Sequence, residues 1–330
     1  MGRLLIFNPE HDYALGNGSY NYTPSQRILK LAKELEGLPL IWADEGDFIL
    51  LSDNSFLDVS SYKKSFFVRG QINEIEPWGW DPAICRRLIE LGIDPSLLPS
   101  KEDINELRRL SHRRSSIHAN QFLESPSVPC EFFDLEEAFA FYERNKGCYF
   151  KMPWSSGGRG IVATRELDSL KVREWISGSI RKQGSVIGEI GINRSLDFSS
   201  LWHIGEDKIN FRGLSIFKSD GRGKYKGNYY GPQEEIIKAI SRYSNKFNSR
   251  LIERQASFIK EYISPSYKGY VGFDMMVDKE GNIYPCVEIN LRRTMGHVAL
   301  EYFKRISINE NRNYWDRKCR IASLHSIEEF

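Results

Sequence analysis

The sequence predicts an α/β protein with more than one domain, and three stretches carry that expectation. The apolar run 4–7, the polar, turn-rich segment 8–25 and the amphipathic pattern 26–36 read as strand, loop and helix, the opening of an α/β unit. In the middle of the chain Lys151 ends one strand candidate, and a glycine-rich segment separates it from the next. Toward the end, residues 272–296 read as a hairpin whose strands carry Asp274, Glu288, Asn290 and Arg292.

The chain of 330 residues has room for two or three units with substantial cores. Lys and Arg total 46 against 44 Asp and Glu, so the net charge of +2 makes no case for nucleic acid or a membrane as partner through bulk electrostatics. The 5 cysteines are odd in number and widely spaced, with no CxxC pair. That argues against a disulfide framework and a structural zinc site and fits a reducing cytoplasm. The first residues, MGRLLIFNPEHD, hold too short an apolar run for a secretory signal, and Ile6 stands where a myristoylation pattern wants Ser or Thr. No run is long enough to cross a bilayer, so the expectation is a cytoplasmic protein.

Taken in order, 40–42, entered through Pro39, is the second strand candidate, and 65–69 is a third. Gly16-Asn17-Gly18 matches part of a dinucleotide fingerprint, but Asn21 takes the third glycine's place and no helix follows at once. His11, Asp12 and Tyr13 follow the first strand, where open α/β sheets place ligands; turn and capping polarity is the commoner explanation. A turn at 77–82 leads to a short helix at 84–91 closed by Gly92. A longer helix is predicted over 102–122, with Ile104, Leu107 and Leu110 on one face and the basic cluster Arg108, Arg109, His112, Arg113 and Arg114. A solvated helix face is the commoner explanation of such a cluster. Residues 127–129 read as a domain boundary, followed by a helix at 135–143.

Next, Pro153 stops the strand that ends at Lys151, and Ser155-Ser156-Gly157-Gly158-Arg159-Gly160 precedes a strand at 161–164. Glycines let backbone N–H groups approach an anion, and a strand-end lysine supplies a point charge for phosphate. The lysine precedes the glycines, so this is not the Walker pattern, and a hairpin turn without ligand is the rival reading. A helix at 172–182, a strand at 185–192 containing Glu189, strands at 199–204 and 210–216, a long loop at 219–231 and a largely helical stretch at 232–263 lead to the hairpin. With 279–283 as its loop, Asp274 lies opposite Glu288, while Glu288, Asn290 and Arg292 share a face. Two carboxylates and an amide oxygen are hard ligands suited to Mg²⁺ on nucleotide phosphates, and ordinary surface charge is the alternative. A last helix follows 296, and the tail from 306 is polar.

In their order these features resemble the ATP-grasp superfamily of ligases over about residues 110–296, without pointing to a subfamily. The resemblance implies an α+β ATP-grasp fold: an N-terminal α/β preamble domain at 1–115, a small subdomain at 116–190, a large one at 191–305 and a tail at 306–330. It places Lys151 and the loop residues Ser155, Ser156, Gly157, Gly158 and Gly160 on the phosphates of ATP, with Arg113 where a lysine is more usual. Glu189 falls on the linker strand that meets adenine and ribose, and Asp197 where a ribose- or substrate-facing acid often follows. Asp274, Glu288 and Asn290 stand at the Mg²⁺ end, which also accepts Mn²⁺, and Arg292 beside the transferred group. The implied reaction joins a small-molecule or peptide carboxylate to an amine or thiol through an acyl phosphate, releasing ADP and phosphate. A phosphotransferase on the same site and a nucleotide-binding module without turnover are the rivals. Homodimers are common among such ligases.

Overall fold

The structure is a computed structural model that describes residues 2–66, 70–155, 160–220, 225–308 and 324–330. Three sheets organise it. The first has the order β4-β3-β2-β1-β5, built from β1 (Gly2–Ile6), β2 (Phe48–Leu50), β3 (Phe56–Asp58), β4 (Lys64–Ser65) and β5 (Ile72–Pro77). β1 runs parallel to β2 on one side and to β5 on the other. The chain therefore leaves β1 in one direction and returns on its opposite flank, which makes the carboxyl end of β1 the point where strand order reverses. Two short helices, α1 (His11–Asn17) and α2 (Gln26–Glu34), follow β1.

The strand expected at 40–42 is instead part of a 3-10 turn, Leu38–Ile41, and the second strand comes later, at Phe48–Leu50. All four residues of the turn are buried. A run that is apolar on every side carries no period to separate a strand from a helical turn, and Pro39 withholds a ladder donor. Of the strand expected at 65–69, Ser65 lies in β4 (Lys64–Ser65), and residues 67–69 lie outside the described part.

α3 (Pro82–Glu90) is capped by Asp81, whose carboxylate accepts from the N–H groups of Ala83 and Ile84. The single helix expected over 102–122 is two, α4 (Lys101–Leu110) and α5 (Arg114–Phe122). At the break the Arg113 N–H bonds the Pro153 carbonyl, distant in sequence, and the Arg114 N–H bonds His112 Nδ1, so these partners replace the helical ladder.

The second sheet, order β6-β9-β7-β8, comprises β6 (Cys130–Phe132), β7 (Tyr149–Lys151), β8 (Ile161–Ala163) and β9 (Val186–Glu189), backed by α6 (Leu135–Arg144) and α7 (Ser169–Gln183). The third, order β14-β13-β10-β11-β12-β15, comprises β10 (Arg194–Ile204), β11 (Ile209–Ser219), β12 (Tyr225–Tyr230), β13 (Gly269–Asp278), β14 (Ile283–Asn290) and β15 (Leu324–Ser326). The segment expected as a loop over 219–231 thus supplies a strand. Its tyrosines suit a pleated, half-buried surface, and residues 221–224 lie outside the description.

The helical stretch expected over 232–263 is α8 (Gln233–Tyr243), α9 (Ser249–Phe258) and a π-helical turn, Ile259–Ile263. Met275 and Val277 pack with Ile236 and Ile240 of α8, and Val271 and Phe273 with Phe258 of α9. Alternation along β13 then turns Asp274 to the opposite face. α10 (Met295–Ile308) follows the hairpin, and β15, in what reads as a polar tail, pairs parallel to β12. No helix among the described residues is long and apolar enough to cross a membrane.

Candidate active site

The hairpin β13–β14 sets Asp274 opposite Glu288, the register expected from a five-residue loop, although the connection is four residues, 279–282. The register shifts between Asp274 and Met276, where β14 carries two extra residues around Pro285. A proline has no ladder donor to lose, so the irregularity sits where it costs least. Asp274 Oδ1 accepts from Ser199 Oγ at 2.7 Å, and Oδ2 accepts from Asn290 Nδ2 at 3.0 Å. The Asp274 side chain keeps some surface open to the cleft yet is closely surrounded by protein. Burial first, and the Glu288 charge second, push its carboxyl up to about 7.

Glu288 is held from the other sheet. Arg113, buried at the α4–α5 break, donates to Glu288 Oε1 at 2.6 Å, to Ser155 Oγ at 2.9 Å and to the Met152 carbonyl at 2.5 Å. Its guanidinium therefore ties the hairpin to the strand end that carries Lys151. Lys151 Nζ lies 2.6 Å from Glu189 Oε2, across neighbouring strands of the small sheet. Burial pushes the Cys286 thiol of β14 well above its ordinary range. Gly160 has φ +77°, and a Cβ there would stand 2.7 Å from Ser155 Cβ, so this position needs glycine. Ser156, Gly157 and Gly158 lie outside the described residues.

Arg292 reaches α1, its Nε 3.0 Å from Asp12 Oδ2 and its Nη2 3.0 Å from the same atom. Asp12 is on α1, beside the buried His11, whose Nε2 is 3.8 Å from Asp12 and whose Nδ1 is 3.9 Å from Asp81. Burial lowers the His11 imidazole to about 4 and raises the Asp81 carboxyl to about 7, so both favour their neutral forms. Arg293, fully buried, lies between the rings of Trp42 (4.2 Å) and Tyr270 (3.8 Å) and bonds Glu76. Its N–H reaches the Trp78 carbonyl, so the residue after Arg292 pins the hairpin's exit to the first sheet.

The structure thus forms two bonded groups, Arg113–Ser155–Glu288 and Asp274–Asn290–Ser199, which meet where Asp274 stands opposite Glu288 on the ladder, and it pairs Lys151 with Glu189. Asp197 stands apart from that network. It shares the face of Ser199 two residues along β10 but is held by Arg194 Nη1 at 3.0 Å, and burial raises its carboxyl. Ser199, Asp12, Glu76 and Arg293 complete the surroundings. Asp12 left a trace in the sequence through its place after the first strand, and Arg293 through its place beside Arg292; Ser199 and Glu76 left none.

Among the described residues no three His, Cys, Asp or Glu side chains gather to hold a metal. Two carboxylates and an amide still fit Mg²⁺, which binds through one or two carboxylates and fills its octahedron with water and phosphate oxygens. Two acids across one ladder, one forced toward its neutral form, are a charge excess that a cation offsets.

No protein-family model matches the chain. Among curated proteins, "[Butirosin acyl-carrier protein]--L-glutamate ligase" of Niallia circulans is 23% identical over 235 residues, covering 68% of this chain and 52% of the relative. The chain spans about half the length of that curated relative. Among solved structures, the biotin carboxylase–beta-gamma-ATP complex from Campylobacter jejuni superposes with a TM-score of 0.53 at 16% identity, over 99% of this chain and 72% of that one. N5-carboxyaminoimidazole synthetase from Staphylococcus aureus, complexed with ADP, gives 0.50 at 11% identity, over 98% and 77%. Both are ATP-grasp enzymes. This chain has the ATP-grasp fold. Arg113 links the segment after β7 in the small sheet, through Ser155, to β14 of the largest sheet, through Glu288.

Proposed function

We propose that the chain is an ATP-dependent ligase that joins a carboxylic acid to an amine or thiol through an acyl phosphate. One observation carries the reading: at the cleft between the ATP-grasp sheets, two cations, Arg113 and Lys151, each rest on an acid, Glu288 and Glu189, at 2.6 Å. Phosphates entering the cleft take over the cations. Lys151 and Arg113 hold the α- and β-phosphates, Glu189 meets the ribose or base, and Asp274, Glu288 and Asn290 would hold Mg²⁺, which would supply positive charge against the phosphates. Arg292 lies beside the transferred group. A carboxylate oxygen of the acid attacks the γ-phosphorus, the bond to the β–γ bridging oxygen breaks, and its electron pair leaves with ADP. The amine nitrogen or thiol sulfur then attacks the acyl carbon, the bond to the phosphate oxygen breaks, phosphate departs and the nucleophile gives up its proton. Such chemistry asks for in-line placement and charge stabilisation, which is what the site's cations and acids supply. The naming of the curated relative as a ligase and the nucleotides in the two fold neighbours support the reading.

The test is a screen of acid and nucleophile pairs for ADP and phosphate release, with Lys151→Ala as control. Release that requires both members of a pair supports the ligase. Phosphate transfer to a single stable acceptor would make it a phosphotransferase, and nucleotide binding without turnover on every pair would leave a binding module.

A further inference from the structure

Between Lys151 and the glycine-rich segment the chain runs through Met152, Pro153, Trp154 and Ser155, and its backbone is held from two sides. Arg113 takes three of the four carbonyls: its Nη1 donates to Met152 at 2.5 Å, its backbone N–H to Pro153 at 3.1 Å and its Nη2 to Ser155 at 3.3 Å. Trp154 is held instead from α7, which backs the small sheet. Its N–H donates to Gln183 Oε1 at 2.9 Å, and Gln183 Nε2 donates to its carbonyl at 3.0 Å. One amide side chain thus satisfies both backbone groups, as a neighbouring strand would.

The Trp154 indole is buried against elements that precede the small sheet. Its Nε1 donates to the Arg108 carbonyl at 2.9 Å, the Arg108 guanidinium lies 4.3 Å from its ring centre, and the His112 ring meets it edge to face at 4.5 Å. Arg108 in turn donates to the carbonyls of Leu15 and Gly16 in the last turn of α1, at 3.0 Å each. A Cβ on Gly16 would stand 2.5 Å from Trp154 Cβ, so a glycine inside a helix, a costly place for one, gives its room to the tryptophan. The first glycine of the partial dinucleotide fingerprint is therefore spent on this contact.

Resting on the phosphate roles proposed above for Arg113 and Ser155, we infer that Trp154 is a positioning residue: it joins α7 to α1 and α4, and so fixes the backbone on which Arg113 and Ser155 are set for the phosphates. Arg113 meets its three carbonyls only while 152–155 keeps one path, and Trp154 is the residue of the four whose carbonyl Arg113 leaves to another partner. Trp154 acts through these neighbours and not by contact with the nucleotide. Small displacements of a charged group are enough to change what it holds.

The experiment measures ADP binding by calorimetry on the full chain for wild type, Trp154→Leu, Arg113→Met and the double variant. Trp154→Leu should weaken binding about tenfold while the number of sites per molecule stays at the wild-type value, and Trp154→Phe, which keeps a ring against Gly16 and Arg108, should recover most of the loss. In the Arg113→Met background the same Trp154→Leu change should cost less than about threefold, because the group it positions is gone. Gln183→Met removes the two amide hydrogen bonds and leaves the indole packing. It should show the same pattern at about threefold to tenfold, and it replaces Trp154→Leu in the cycle if that variant does not fold. An equal loss in both backgrounds, or fewer sites at unchanged affinity, makes Trp154 structural only and overturns the inference while the phosphate roles stand. Arg113→Met with wild-type affinity, or a wild type that does not bind ADP, removes the phosphate role of Arg113 and this inference with it.

Discussion

Replacing Glu288 by Gln keeps the shape of the side chain and removes one charge, and the structure lets the effect be worked out. Asp274 is pushed up to about 7 by burial and by Glu288, against an ordinary value of 3.8. Cross-strand neighbours about 5 Å apart at an effective dielectric of about 20 interact by roughly 3 kcal/mol. Losing Glu288 therefore lowers the Asp274 carboxyl, while burial, the larger cause, still holds it above the ordinary range. It also removes a comparable attraction for a divalent ion, worth on the order of a hundredfold in affinity. Arg113, bonded to Glu288 at 2.6 Å, keeps its contacts to Ser155 and Met152 and gains freedom to meet phosphate. The expected result is split: ADP alone binds Glu288→Gln as well as or better than wild type, while the strengthening of ADP binding by Mg²⁺ is lost. Calorimetric titration of ADP with and without Mg²⁺ measures both, with thermal unfolding as the check on folding. A variant that keeps the wild-type Mg²⁺ dependence would refute the placing of the cation on this hairpin.

Two further outcomes follow from the first domain. Arg293→Met removes the buried guanidinium between Trp42 and Tyr270 and leaves Glu76 with Arg3 as its remaining ion-pair partner. Urea unfolding should show a loss of about 2–4 kcal/mol, and a change below about 0.5 kcal/mol would remove Arg293 as the anchor between hairpin and first sheet. Asp81, whose folded value of about 7 exceeds its ordinary 3.8, binds a proton more tightly folded than unfolded. Its stabilisation is full below pH about 4 and is lost as pH rises to about 7, at most roughly 4 kcal/mol. His11 works the other way, since its lowered value makes it stabilising above its ordinary pKa of 6.5 and costly as pH falls toward 4. Because the two rest 3.9 Å apart, their titrations couple. The difference between wild type and Asp81→Asn isolates the first effect: it should narrow in the wild type's disfavour from pH 4.5 to 7.5, and parallel stability curves would refute it.

What could be read from the sequence was whatever depends on local period and order. The Asp274–Glu288 register emerges correctly even though the loop is one residue shorter than assumed, because the irregularity around Pro285 restores the count. Lys151 and Glu189 sit on the strands that the chain's order implied, whereas Arg113, expected within one helix, sits at the break between two. What stayed hidden depends on contacts far apart in sequence. Nothing in Leu38–Ile41 distinguishes a buried 3-10 turn from a buried strand. The split of 102–122 into two helices is decided by Arg113 reaching Pro153 and Glu288, and no local signal announces it. Arg292 and Arg293 look alike as neighbouring cations, yet one meets Asp12 and the other Glu76, and only the packing of β1 and β5 against the hairpin separates their roles.

The central claim is that a carboxylate is activated by phosphoryl transfer in this cleft, and oxygen labelling tests it most directly. With the acid found by the ADP-release screen carrying ¹⁸O in its carboxylate, the acyl-phosphate route moves one labelled oxygen into each molecule of phosphate released, read by mass spectrometry. Phosphate that stays unlabelled while the ligated product retains all the label of the acid would contradict the account.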